Sequence, residues 1–205
     1  LKQIKQLGVL TILFGSEGLF GPDTLEAGTA AEGLTITSVT AGTDAFAIKY
    51  IDEYVSCSKS PPALRLVSNG DLDYWVAAMG SSDSNQGQYE AAVRNYSNRK
   101  LRILILDDAE LKRTDELKMV IKWMQDSGIE VRCIKSAVTK IQPPFDDFGL
   151  LSDKAVSKFQ IEVEGANRTR YLEEYFGSTD IKSYTHEWNM LFDDSIAADD
   201  FVRSL

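Results

Sequence analysis

Asp107 and Asp108 stand directly after the apolar run Leu101–Leu106 (LRILIL). Paired carboxylates at the end of a buried strand are a ready ligand set for a divalent cation such as magnesium. The same pair serves equally well as a solvated helix entrance, where negative charge meets the positive end of the helix dipole. Asp146, Asp147 and Asp153 are further carboxylates that could join a metal. The single imidazole is His186, with Glu187 beside it. Adjacent residues face different sides of a helix or strand, so these two make no evident dyad. Ser178 and Thr179 lie nearby, but without a G-x-S-x-G elbow they make no serine-type triad. A partly exposed structural histidine is the expectation for His186.

The words ILILDDAE resemble response-regulator receivers, and Asp153, 45 residues beyond Asp108, stands roughly where a receiver keeps its phosphoacceptor. Pro143 and Pro144 interrupt the stretch that would have to be a receiver helix, and no lysine closes a fifth strand.

A second pattern runs through DDFGLLSDKAV at 146–156, which reads D-x-F-x4-D from Asp146 through Phe148 to Asp153. It resembles the H-x-K-x4-D element of phospholipase D-like enzymes, with Asp146 in the place of the histidine and Phe148 in the place of the lysine. Farther on, GSTD is similar to the family's G-S-x-N, with Gly177 and Ser178 matching and Asp180 at the asparagine position. HEWNMLFDDSIAADDF at 186–201 resembles the closing segment, in which Glu187 precedes an apolar run. The resemblance covers about residues 95–205, and the gap from Asp153 to Gly177 is longer than the family's usual one. It implies the fold of one phospholipase D half. It also implies lost catalysis, because the family's chemistry needs an imidazole to attack phosphorus and a lysine to hold the negative charge.

The chain carries 22 basic and 31 acidic residues in 205, a net charge of -9, and such a field repels a phosphate-rich polymer unless a basic stripe overcomes it. The densest basic stretches, Arg94–Arg102 and Lys112–Arg113, read as solvated helix faces, so nucleic acid is not expected as a partner. A membrane is not expected either, since no stretch approaches the roughly 20 apolar residues that cross a bilayer. Cys57 and Cys133 are too few for a metal-ligand pattern and are expected as buried thiols, which suits a reducing, cytoplasmic compartment. The opening LKQIKQLGVLTILFG superficially resembles a secretory signal, but Gly8 interrupts it, and a core strand is the expectation.

The elements that must position these residues alternate along the chain. Gly15–Gly33 and Gly80–Gln88 read as linkers, the second as a mobile loop. Leu34–Thr40 and Leu64–Val67 read as strands, Thr43–Val55 and Gln88–Tyr96 as helices. Leu101–Leu106 is expected to be a strand buried on both faces or nearly so. Thr114 can cap a helix with Leu117, Val120, Ile121 and Met124 at i, i+3, i+4 and i+7, ending at Gly128. Ile129–Ile134 then supplies a second strand, parallel to the first. Phe148–Leu151 and Val156–Val163 read as two further strands, and Tyr184–Leu205 as a helical tail with Trp188, Leu191 and Phe192 in one apolar patch. This predicts an α/β fold with a mixed, mostly parallel sheet flanked by helices. The expected organisation is a single domain over 1–205, in which 1–33 form a strand plus a Gly/Ala-rich loop and 34–205 the main body.

The functional expectation is a non-catalytic regulatory or protein-interaction module that needs no cofactor. It would bind a protein partner, self-associate or sense a small-molecule ligand. In active phospholipase D-like enzymes two halves meet to form one site, so a single half implies self-association, with Trp188, Phe192 and Phe201 as contacts or as core. The alternative is a metal-dependent phosphohydrolase or receiver-like phosphoacceptor domain, using magnesium at Asp107, Asp108 and Asp153.

Overall fold

A computed structural model describes residues 12–13, 35–39, 63–80, 85–141, 147–151, 155–164, 167–175 and 178–205. The described strands are β1 (Ile12–Leu13), β2 (Thr35–Val39), β3 (Leu64–Asn69), β4 (Lys100–Leu106), β5 (Ile129–Lys135), β6 (Asp147–Leu151), β7 (Ala155–Glu164), β8 (Asn167–Tyr175) and β9 (Ile196–Ala197). They form one sheet in the order β1-β2-β8-β7-β6-β3-β4-β5-β9. The described helices are α1 (Leu72–Gly80), α2 (Asn85–Asn95), α3 (Asp108–Leu111), α4 (Thr114–Asp126), α5 (Ser178–Asp194) and α6 (Ala198–Arg203).

Alternation along the central strands sorts their side chains into two layers. Leu64 and Leu66 of β3, Leu104 and Leu106 of β4, and Val131 and Cys133 of β5 face one layer, closed by α1, α2, α4 and α6. Val67, Ile103, Ile105, Ile134, Phe148 and Leu150 face the other, closed by Ile181, Trp188 and Leu191 of α5. All seven residues of β4 are buried, as a strand covered on both faces requires. Leu117, Val120, Ile121 and Met124 put the expected stripe of α4 into the first layer. Burial of each such side chain stabilises the fold by about 1.5–3 kcal/mol.

The mixed α/β sheet matches the sequence reading, but its parallel part is smaller than expected. Among the described residues β1–β2, β3–β4 and β4–β5 pair in parallel. β2–β8, β3–β6, β5–β9, β6–β7 and β7–β8 are antiparallel. Two of these five antiparallel pairs involve β8, a whole strand between β7 and β2 that the sequence reading lacked. Helix α1 was likewise unforeseen, and α2 begins at Asn85, inside the expected Gly80–Gln88 loop. Arg113, not Thr114, occupies the cap position of α4, and the Thr114 hydroxyl instead donates to the Leu111 carbonyl at 3.1 Å. The tail is two helices, broken at Ser195. The expected helix Thr43–Val55 and the linker Gly15–Gly33 lie outside the described residues.

Candidate functional site

β3, β4 and β5 run parallel and therefore end at one edge of the sheet, where open α/β sheets gather ligands. Asp107 leaves β4 at this edge and caps α3. Its Oδ1 accepts hydrogen bonds from the backbone N–H groups of Ala109 at 2.7 Å and Glu110 at 3.2 Å. Glu110 Oε2 accepts the Asp107 N–H in return, at 3.1 Å, which completes a capping box. The side-chain hydrogen bond with Glu110 holds the Asp107 carboxyl below its ordinary value. Burial, and then the same contact, raises that of Glu110. Asp108 is exposed at the start of α3, where the dipole favours its charge. These carboxylates do the work of a helix entrance. Among the described residues no three His, Cys, Asp or Glu side chains stand together to hold a metal ion.

β6 begins at this same edge, because it pairs antiparallel with β3. Asp147 Oδ1 accepts from the Asn69 backbone N–H at 2.6 Å and from its Nδ2 at 2.9 Å, fastening the start of β6 to the end of β3. The next residue, Phe148, is 2% exposed, and its ring lies 4.9 Å from that of Tyr184 on α5. The position that resembles the family's lysine is thus a core ring packed beneath α5.

Asp146, Asp153 and Gly177 lie outside the described residues, but the strands around them have a definite register. Leu151 pairs with both Leu64 and Ala155, and Val156 pairs with Tyr175. β6 therefore ends, and β8 ends, at the edge where β3 begins. Asp147 stands at the opposite edge, four residue steps or about 13 Å away along β6. Leu151 and Ala155, on either side of Asp153, therefore stand at the same edge as Tyr175, ahead of Gly177, whereas Asp147 stands at the other. The return to that edge is made by the long gap noted in the sequence. It holds two complete strands, β7 and β8, and the second carries the chain back to the far edge before α5 starts at Ser178.

Asp180 and Glu187 are half-buried residues of α5. His186 is exposed, eight residues from Ser178 or roughly 12 Å along the helix axis. Lys182, four residues before His186, shares its exposed side. Neither is positioned over the start of α5. Cys133 is a free, buried thiol whose pKa burial pushes up to about 12, so it is no nucleophile at neutral pH. Cys57 lies outside the described residues.

The sequence reading overlooked the partners of two buried cations and one half-buried one. Arg102 pairs with Glu90 inside the α2 layer, Lys100 caps two helices, and Arg132 binds the tail. The first was discoverable: an arginine in a strand expected to be covered on both faces requires a buried anion. Arg132 Nε donates to Ser195 Oγ at 2.9 Å, its Nη2 reaches the Ser195 carbonyl, and its guanidinium lies 4.2 Å from the Phe192 ring centre. These contacts explain why the helix breaks at Ser195 while the chain stays on the sheet.

No protein-family model matches the chain, and no curated protein matches it in sequence. Solved structures share its architecture. The phospholipase D family member Nuc from Salmonella typhimurium aligns at TM-score 0.51 with 9% identity, over 80% of this chain and 96% of that one. NucT from Helicobacter pylori aligns at TM-score 0.50 with 8% identity, over 80% and 98%. TrmBL2, a DNA-binding archaeal chromatin protein, aligns at TM-score 0.46 with 11% identity over 80% of this chain, which spans about half, 54%, of that protein. The fold is phospholipase D-like. The expectation that nucleic acid is excluded as a partner is corrected here. A DNA-binding chromatin protein stands among the structural neighbours, and the exclusion drawn from net charge is withdrawn.

Proposed function

We propose that this chain is a non-catalytic regulatory or protein-interaction module built on a phospholipase D-like half. One observation carries the reading: Phe148 is 2% exposed and packs on Tyr184 at 4.9 Å. A lysine at this position would have to face solvent and a bound phosphate, and the ring here faces the apolar underside of α5. Phosphoryl transfer through a covalent intermediate needs a nucleophile and a cation held on one transferring group. The single histidine, exposed on α5, supports the same reading. The module needs no cofactor, functions as one domain, and belongs in a reducing compartment, where Cys133 stays a thiol. Among the described residues no helix is long and apolar enough to cross a membrane.

Hydrolysis of bis(p-nitrophenyl) phosphate by the purified protein tests the proposal. The expected rate equals that of buffer. Turnover that disappears in Asp146→Ala or His186→Ala would overturn it.

A further inference from the structure

β7 has two unlike sides. Leu66 of β3 pairs with Gly149, and Gly149 with Ser157, so positions 157, 159 and 161 of β7 lie on the side of the sheet where α1, α2, α4 and α6 pack. Phe159 and Ile161 occupy this side, with Leu172 of β8 opposite Phe159. Ile36 of β2 joins them, because it pairs with Glu174, which pairs with Ser157. The positions that face the other way are Lys158, Gln160 and Glu162, with Glu173 of β8 opposite Lys158. A strand that alternates in this manner buries one side and wets the other. Among the described residues, the strand positions closed by α1, α2, α4 and α6 belong to β3, β4 and β5. The apolar side of β7 therefore takes its cover from another part of the chain.

The connection from β2 to β3 is in a position to supply it. β2 is antiparallel to β8, and β8, β7, β6 and β3 alternate in turn, so β2 and β3 point the same way. Crossovers between parallel strands of one sheet are right-handed. Those from β3 to β4 and from β4 to β5 carry α1, α2 and α4, and both step along the sheet in the same direction as the step from β2 to β3. Equal handedness puts residues 40–62 on the side of those helices, above β8, β7 and β6. The step crosses four strand spacings, about 19 Å, and a helix over Thr43–Val55 is about 20 Å long. Ile48, Ile51 and Val55 fall at i, i+3 and i+7 of such a helix, with Lys49 and Glu53 on its opposite face. Asp44 extends the apolar stripe toward the end where the chain leaves β2, and Arg170 of β8, opposite Ile161, stands at that level.

We propose that residues 43–55 dock as an amphipathic helix on the apolar side of β7, with Ile48, Ile51 and Val55 turned to the sheet and Asp44 toward Arg170. This placement closes the first core layer over the antiparallel half of the sheet, and it holds whether or not the chain is catalytic.

Photo-crosslinking in the full chain tests it. Benzoylphenylalanine replaces Phe159 in one variant and Lys158 in another, and the products of ultraviolet irradiation are mapped by mass spectrometry. A probe at position 159 is expected to link to 43–55 within one molecule, and a probe at position 158 to other segments. A link from position 159 only to a second copy, only to another segment or to nothing overturns the proposal, as does a link from position 158 to 43–55. Thiol labelling provides a test that leaves β7 unaltered. In a Cys57→Ser background, with Cys133 buried, Ile51→Cys should react with iodoacetamide about tenfold or more slowly than Lys49→Cys in the native protein. Equal rates would overturn the docked helix.

Discussion

Arg102 Nη1 lies 2.8 Å from Glu90 Oε2, and both side chains are 2% exposed. The pair joins β4 to α2 in a layer otherwise lined by Leu66, Trp75, Val93 and Met124. Breaking it from one side leaves a buried charge without its counter-ion. Glu90→Gln is therefore expected to destabilise the fold by about 3–5 kcal/mol, read from the urea midpoint. Replacing both partners with apolar residues of similar volume should recover most of that loss. A single variant as stable as the parent would contradict the burial described.

Lys100 makes a different kind of contact. Its ammonium donates to the Ser127 carbonyl at 2.7 Å and to the Arg94 carbonyl, so one cation closes the C-terminal ends of α4 and α2 together. Burial lowers its pKa from the ordinary 10.5. A base with a depressed native pKa binds fewer protons folded than unfolded. Through Lys100 the fold thus gains stability as pH rises from the native pKa toward 10.5, and it carries the full desolvation cost below. Lys100→Met should cost about 1–3 kcal/mol at pH 7, because two carbonyls lose their donor. It should also flatten the alkaline rise, a difference visible in urea melts compared at neutral and alkaline pH.

A methyl group at Gly70 would come within 2.7 Å of both Cδ and Oε2 of Glu110. Glu110 can swing away, but only by releasing the Asp107 N–H and opening the capping box. Gly70→Ala is expected to cost about 1 kcal/mol, the usual value of a lost cap. Glu110→Ala should lose a similar amount, and the double variant should fall well short of the sum. Additive losses in denaturant titrations would mean that the two sites are independent.

Thiol labelling tests the packing of β5. Cys133 is 1% exposed, and burial raises its pKa to about 12. In a Cys57→Ser background iodoacetamide at pH 8 should leave the native protein unmodified while labelling it fully in denaturant, as read by mass spectrometry. Rapid native labelling would place Cys133 outside the core.

The central layers were legible because single segments carried the signal. LRILIL could only be a strand covered on both sides, and Leu117, Val120, Ile121 and Met124 could only be one face of a helix. β8 was hidden for the opposite reason. NRTRYLEEY carries four charges and owes its conformation to hydrogen bonds from β7 and β2 on either side, which no local pattern announces. α1 buries just Leu72, Trp75 and Ala78 and sits beside the Gly- and Ser-rich GSSDSNQGQ, whose composition hid its own helix as well. The motif spacing at 146–153 was readable, but the two strands that separate it from 177–180 were not both foreseen. One additional strand exchanges the two edges of a sheet, and spacing along the chain does not record that exchange.

The final strand, Ile196–Ala197, is only two residues long, yet it crosses the outer flank of β5 at Arg132 and Cys133. A foreign strand approaching from that side meets an interrupted row of amides and carbonyls, with an arginine already tied down beneath it. The tail thereby blocks part of this border to zippering with other molecules, and removing Ile196 and Ala197 would leave the amides and carbonyls of β5 open to a foreign strand.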